Sequence, residues 1–164
     1  MNDEQDLLTK AENIIGHDEE ILAAGIFGHQ DSAATAAAAM AGAAASGAVL
    51  DNPVVAGVGS AASVHATREF AAASKGLTVR MLVAVTSSRI HVLDWRTGTG
   101  PSRELVWFDR ASTDVRVSKF GLSRRVRLTD TRAPRTVSLT GTTAFFASES
   151  KGDRSVLRTL KAAS

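Results

Sequence analysis

Between positions 32 and 67 the chain runs 36 residues with a single charge, Asp51, and 15 of those residues are alanine. Alanine is the best helix former yet offers little apolar surface, so helices made of it gain stability chiefly by letting backbones approach closely. The stretch predicts two helices, over residues 32–50 and 53–74, joined at Asp51-Asn52-Pro53. Asp51 or Asn52 caps the second helix, Pro53 suits its first turn, and Lys75-Gly76 places a cation and a left-handed stop at its end. Ala38, Gly42 and Ser46 make one strip of small side chains with Ala43 and Gly47 beside it, and Gly57 and Ala61 make another. That spacing suits a tight antiparallel hairpin of the glycine-zipper kind, packed on its own chain, on a second copy or on a membrane. Ala38, Gly42, Ser46, Gly47, Gly57 and Ala61 are the expected self-association surface.

The same stretch divides the charge. Residues 1–74 carry 2 basic and 10 acidic side chains, residues 75–164 carry 17 basic and 7 acidic, and the net +2 conceals a bipolar molecule. Such a separation steers one half toward a second copy or an anionic surface. At 164 residues the chain fits one domain plus an appended element, and the absence of cysteine excludes disulfides and thiolate metal sites. Its start, Met1-Asn2-Asp3-Glu4-Gln5-Asp6, is acidic where an export or transit signal is basic, so a cytoplasmic location is expected, with membrane association as the alternative. Residues 32–50 approach the length of a bilayer span, but Met40, Val49 and Leu50 are their only larger apolar side chains, and residues 54–67 are too short.

Outside the hairpin the periodicity is clear. Leu7, Leu8, Ala11, Ile14 and Ile15 fall at helical spacing and Gly16 stands where a C′ residue belongs, which predicts an amphipathic opening helix. Residues 20–27 read as a buried strand ending at Gly28. From Leu77 the pattern turns to alternation, the mark of strands with one buried face, over residues 78–86, 89–95, 103–108, 113–118, 124–129 and 135–140. Short turn signals between them, such as Ser87-Ser88 and Phe120-Gly121, argue for antiparallel neighbours. Val156, Leu157 and Leu160 give the apolar side of a closing helix over residues 153–161.

Seven antiparallel strands followed by a helix resemble the pleckstrin-homology (PH) superfold, in particular the bacterial PH-like and GRAM-like domains. The likeness is carried by residues 83–93, Val-Ala-Val-Thr-Ser-Ser-Arg-Ile-His-Val-Leu, by Glu104-Leu105-Val106-Trp107-Phe108, and by Val156-Leu157-Arg158-Thr159-Leu160. It implies an α+β chain: an N-terminal helix (residues 1–16), a PH-like seven-stranded antiparallel barrel or sandwich of two nearly orthogonal sheets (17–30 and 76–164) with a C-terminal capping helix, and an inserted small-residue helical hairpin (31–75). PH domains that bind phosphoinositides take basic residues from the loop after the first strand. Here that connection has no Lys or Arg from Phe27 until Arg68, so the usual inositol-phosphate mode is not expected.

The residues assemble little that resembles catalysis. Residues 54–62 match a G-x-G-x-x-A fingerprint, but the Asp51-Asn52-Pro53 helix start and the lack of an acidic residue about 20 positions on make helix packing the better reading. His17 with Asp18, Glu19 and Glu20 lacks the His-Glu-x-x-His spacing of a metal site, and Ser63 and His65 do not share a helical face. No enzyme, cofactor, metal or small-molecule substrate is expected. The basic residues carry more: Arg116 alternates with Val115 and Val117, and Arg125 and Arg127 alternate with Val126 and Leu128, so they should share an exposed face, with Lys119, Arg124, Arg132 and Arg135 on its rim. Anionic lipid or an acidic protein segment would suit that face, the chain's own Asp3, Glu4, Asp6 and Glu12 included, whereas nucleic acid would call for exposed aromatics. The expected function is a non-enzymatic PH-like binding or scaffold module, a homo-oligomer through its hairpin. Peripheral binding to anionic lipid through the basic face and hairpin is the alternative.

Overall fold

Ile21-Leu22-Ala23-Ala24-Gly25-Ile26-Phe27 and Met81-Leu82-Val83-Ala84-Val85 are apolar at every position, a pattern that strands keep when both faces are covered. The computed structural model describes residues 4–29, 79–120, 123–142 and 150–161. In chain order these form α1 (Glu4–Ile15), β1 (Ile21–His29), β2 (Arg80–Thr86), β3 (Arg89–Asp94), β4 (Glu104–Asp109), a 3-10 turn (Arg110–Ser112), β5 (Thr113–Phe120), β6 (Ser123–Asp130), β7 (Thr136–Thr142) and α2 (Ser150–Lys161). The expected hairpin, with Ala38, Gly42, Ser46, Gly47, Gly57 and Ala61, lies outside the described residues.

The strands make one antiparallel sheet in the order β4-β3-β2-β1-β7-β6-β5. Its halves meet at β1, which pairs β2 from Ile21 to Gly28 but β7 only at Gly28 and His29. That pairing carries β1 through the stop expected at Gly28 to His29. The expectation of a barrel or of two separate sheets is corrected: β4 and β5, joined by the 3-10 turn, are the two edges of a sheet that is not closed. Backbone and side-chain contacts bridge the gap where no ladder does. Thr131 N donates to Ser112 O at 2.8 Å, Arg132 Nη1 donates to Asp109 Oδ2 at 3.3 Å, and the Arg135 guanidinium lies 5.6 Å from the Phe108 ring centroid.

Two cores lie on opposite faces. The inner one gathers Ala23, Phe27, Met81, Val83, Val85, Ile90, Val92 and Phe108 with Val126, Leu128, Val137 and Leu139, and α2 closes it with Val156, Leu157 and Leu160. Burying those three side chains contributes roughly 1.5–3 kcal/mol apiece. On the outer face Leu7 and Ala11 of α1 cover Ala24, Ile26, Leu82, Ala84 and Leu93, with Trp95 at the border. So β2 and β3 are buried on both faces, not on one as alternation from Leu77 predicts, and the helix responsible is 65 residues or more away in sequence. Gly16 does end α1, with φ +94° and its N–H on Glu12 O at 2.8 Å.

Beyond β3, Asp94 organises the connection to β4. Its Oδ1 accepts from Ser102 N at 2.6 Å and Arg103 N at 2.9 Å, and its Oδ2 from Ser102 Oγ at 2.6 Å. Burial pushes this carboxyl up, but these hydrogen bonds and the Arg96 charge outweigh it and leave the group below the ordinary aspartate value.

A close backbone contact lies between α2 and β1. A Cβ on Gly25 would stand 2.8 Å from Asp153 N and Gly152 C, and one on Gly152 would stand 2.5 Å from Ala24 O. Glycine at both positions lets the first turns of α2 rest on the β1 backbone. Gly25→Ala and Gly152→Ala should each cost about 1–3 kcal/mol, as overpacking does, read as a lower thermal midpoint by circular dichroism. Unchanged midpoints would show that the contact is looser than this geometry.

Candidate functional site

β5 and β6 run together through eight register pairs, from Thr113 opposite Asp130 to Phe120 opposite Ser123. Successive side chains point to opposite faces. Val115, Val117, Val126 and Leu128 therefore pack on the inner core, while Arg116, Ser118, Arg125 and Arg127 stand on the outer face. Arg116 is directly opposite Arg127, and Ser118 directly opposite Arg125. β7 continues the row with Ser138 beside Arg127 and Thr140 beside Arg125. Arg116, Ser118, Arg125 and Arg127 line a hollow of about 260 Å³. Arg116 Nε donates to Asp114 Oδ2 at 2.8 Å, a pair exposed enough to be worth little in stability.

The other four basic residues expected there are elsewhere. Lys119 and Arg124 pair with each other one step further along, which puts them on the opposite face from Arg116 and Arg125. Arg132 and Arg135 sit at the other end of the β6–β7 hairpin and are engaged with β4: Arg132 on Asp109, and Arg135 Nη1 on Trp107 O at 3.3 Å. Strand parity separates the first two from the hollow, and turn position the second two. Ser118 is the member that charge alone did not reveal, although its alternation with Val117 marks it. The chain's own acidic helix is not seated here either. α1 lies on β1 and β2, with Asp6 bonded to Lys10 at 2.8 Å and Glu12 to His17 Nδ1 at 2.7 Å.

A second polar cluster fastens the β2–β3 turn. Thr86 Oγ1 and Ser88 Oγ donate to the Glu19 carboxylate at 2.5 and 2.6 Å, and the Ser88 bond, then the Thr86 bond, hold that carboxyl below its ordinary value. Arg110 Nη1 grips the other side through Thr86 O at 2.6 Å. Arg89 then stacks 4.8 Å from the ring centroid of Trp107, a side chain 44% exposed on the edge strand β4. His91 Nδ1 lies 2.6 Å from Glu104 Oε1. These contacts brace the β2–β3 hairpin.

Among the described residues no cluster of three metal-ligating side chains is present, and no helix is long and apolar enough to cross a membrane. No protein-family model matches the chain, and no curated protein is significantly similar to it.

Like charges directly opposite each other on paired strands destabilise a sheet. Arg127→Glu turns the Arg116 pair into an attraction and should raise stability by roughly 0.2–1 kcal/mol in low salt, the gain fading as salt rises. Urea unfolding at two ionic strengths measures it. A loss at low salt would show that the two guanidinium groups do not face each other.

Proposed function

We propose that this chain is a non-enzymatic, PH-like binding module that docks on an anionic lipid surface through the outer face of β5 and β6, with the inserted segment 31–75 beside it. Seven antiparallel strands closed by a helix support the PH-like part of the reading. One observation carries the docking part. The register runs in a single row from Arg80 through Gly28, Thr140 and Arg125 to Ser118, so the place where the insertion leaves β1 shares an end and a face with the basic hollow. His29 N donates to Val79 O at 2.9 Å just beyond this row, closing the root of the insertion. With strands about 4.8 Å apart, Arg125 stands about 10 Å from that root.

Magnitudes explain why both parts are needed. An arginine near an anionic surface is worth about 1 kcal/mol. Three of them fall well short of the roughly 8 kcal/mol of micromolar binding, so a second, apolar contribution is required. Residues 32–67 of the inserted segment, with one charge in 36 residues, are its source in this chain.

Flotation with vesicles tests this. The full chain should bind vesicles containing anionic lipid in low salt, release from them in about 0.5 M salt, where the Debye length shrinks to a few ångströms, and ignore zwitterionic vesicles. The triple change Arg116→Glu, Arg125→Glu, Arg127→Glu should abolish binding. Absence of binding in low salt defeats the proposal.

A second reading rests on the four-residue spacing of Ala38, Gly42 and Ser46 and of Gly57 and Ala61, which favours self-association through the hairpin. Light scattering at micromolar concentration should then give a mass above that of one chain, falling to one chain in Gly42→Leu or Gly57→Leu. A protein that is monomeric from the outset excludes this reading.

A further inference from the structure

α2 carries a basic face of its own. Its cations stand at Lys151, Arg154, Arg158 and Lys161, a spacing of three, four and three that holds them on one helical stripe. Lys151, Arg158 and Lys161 are exposed and have no ion pair among the described residues, while Arg154 has an interaction elsewhere and adds nothing to that free charge. The acid of the same helix, Asp153, is fully buried. We infer that this stripe meets a second anionic membrane, so that the chain, docked on one bilayer by β5 and β6, bridges it to another. The inference rests on the docking reading and adds a second contact to it.

Placement comes first. Val156, Leu157 and Leu160 of α2 enter the inner core from one side, and Val115, Val117, Val126 and Leu128 of β5 and β6 enter it from another. Arg116 and Arg127 point away from that core on their side, and the α2 stripe points away from it on its own. The inner core therefore lies between the two basic faces, which are presented in different directions.

Helix energetics does not account for the stripe. Arg158 and Lys161, in the last turn, complement the helix dipole. Lys151 has no such reason. It stands in the first turn, where a cation opposes the dipole, and Ser155 rather than an acid lies four residues on. A charge that works against its own helix is a local conflict of the kind functional surfaces show.

Residue type selects the partner. Two of the three free cations are lysines, compact point charges that suit a diffuse negative surface rather than forked recognition of a single group. Protein interfaces deplete lysine and concentrate aromatic side chains, whereas the stripe has Ser155 and Thr159 beside it. An anionic bilayer fits that description. Each cation near such a surface strengthens binding roughly fivefold, so three give about a hundredfold. That is too weak to hold one molecule, but copies already seated on one vesicle act together on the next.

The experiment uses the full chain with vesicles of phosphatidylglycerol and phosphatidylcholine in low salt, read by flotation for docking and by turbidity for bridging. The wild-type chain should float with the vesicles and also aggregate them, and about 0.5 M salt should reverse the aggregation. The variant Lys151→Gln, Arg158→Gln, Lys161→Gln should still float but aggregate vesicles roughly tenfold more slowly or not at all. Lys151→Glu alone should slow aggregation while its thermal midpoint holds or rises, because glutamate suits the first turn of a helix. A merely structural lysine would not separate the two readouts in that way.

Flotation of the wild-type chain without turbidity overturns the inference, leaves docking in place and returns the stripe to an acidic protein partner. Turbidity undiminished in the glutamine variant overturns it too, assigning the bridging to association between copies. A glutamine variant that keeps its thermal midpoint but no longer floats places α2 in the first contact and removes the second. Absence of flotation by the wild-type chain removes docking and bridging together.

Discussion

Contact between bare backbone at Gly25 and Gly152 is the constraint around which the rest of this molecule is arranged. Because nothing projects from either residue, α2 lies directly on β1 and drives Val156, Leu157 and Leu160 into the inner core. β1 is also the strand that joins the two halves of the sheet, through only two pairs with β7. A helix resting on that narrow junction holds both halves at once. Without it the sheet would be two short ladders connected by a few backbone hydrogen bonds.

The opposite side of the same strand explains where function can reside. α1 covers the outer face of β1, β2 and β3 with Leu7 and Ala11, and a helix of 12 residues extends no further across the sheet. Among the described residues, the outer face of β7, β6 and β5 carries Ser138, Thr140, Arg125, Arg127, Arg116 and Ser118. With an acidic helix on one half of the sheet and arginines on the other, the charge asymmetry of the chain becomes a spatial one among the described residues. The like-charged Arg116–Arg127 pair is a local conflict in an otherwise consistent strand, and such conflicts are characteristic of functional surfaces.

Much of this architecture is legible in residue order, and the failures are instructive. Alternation at Val115-Arg116-Val117 and Arg125-Val126-Arg127-Leu128 reveals both strands and the face that holds the arginines, because a period of two is a property of extended backbone and needs no partner. The same logic grouped Lys119, Arg124, Arg132 and Arg135 with them. Nearness in sequence is a poor guide once parity and hairpin ends intervene: one step moves Lys119 to the other face, and one turn carries Arg132 to Asp109. Trp107 belongs to the apolar run of residues 105–108, but its place on the edge strand β4 leaves it half-exposed beneath Arg89.

What residue order determined by itself is every quantity that depends on neighbours along the chain: the helical stripe of α1, its glycine stop, seven strands, their antiparallel sense and a closing helix. What only the tertiary structure decided is which faces are covered. The burial of β2 and β3 on both sides, the open edges at β4 and β5, and the gathering of Arg116, Ser118, Arg125 and Arg127 into one hollow all depend on contacts between segments far apart in sequence. Local periodicity specifies the direction of a side chain relative to its own strand. It carries no information about what lies on that side, because that is set by where the other strands and helices come to rest.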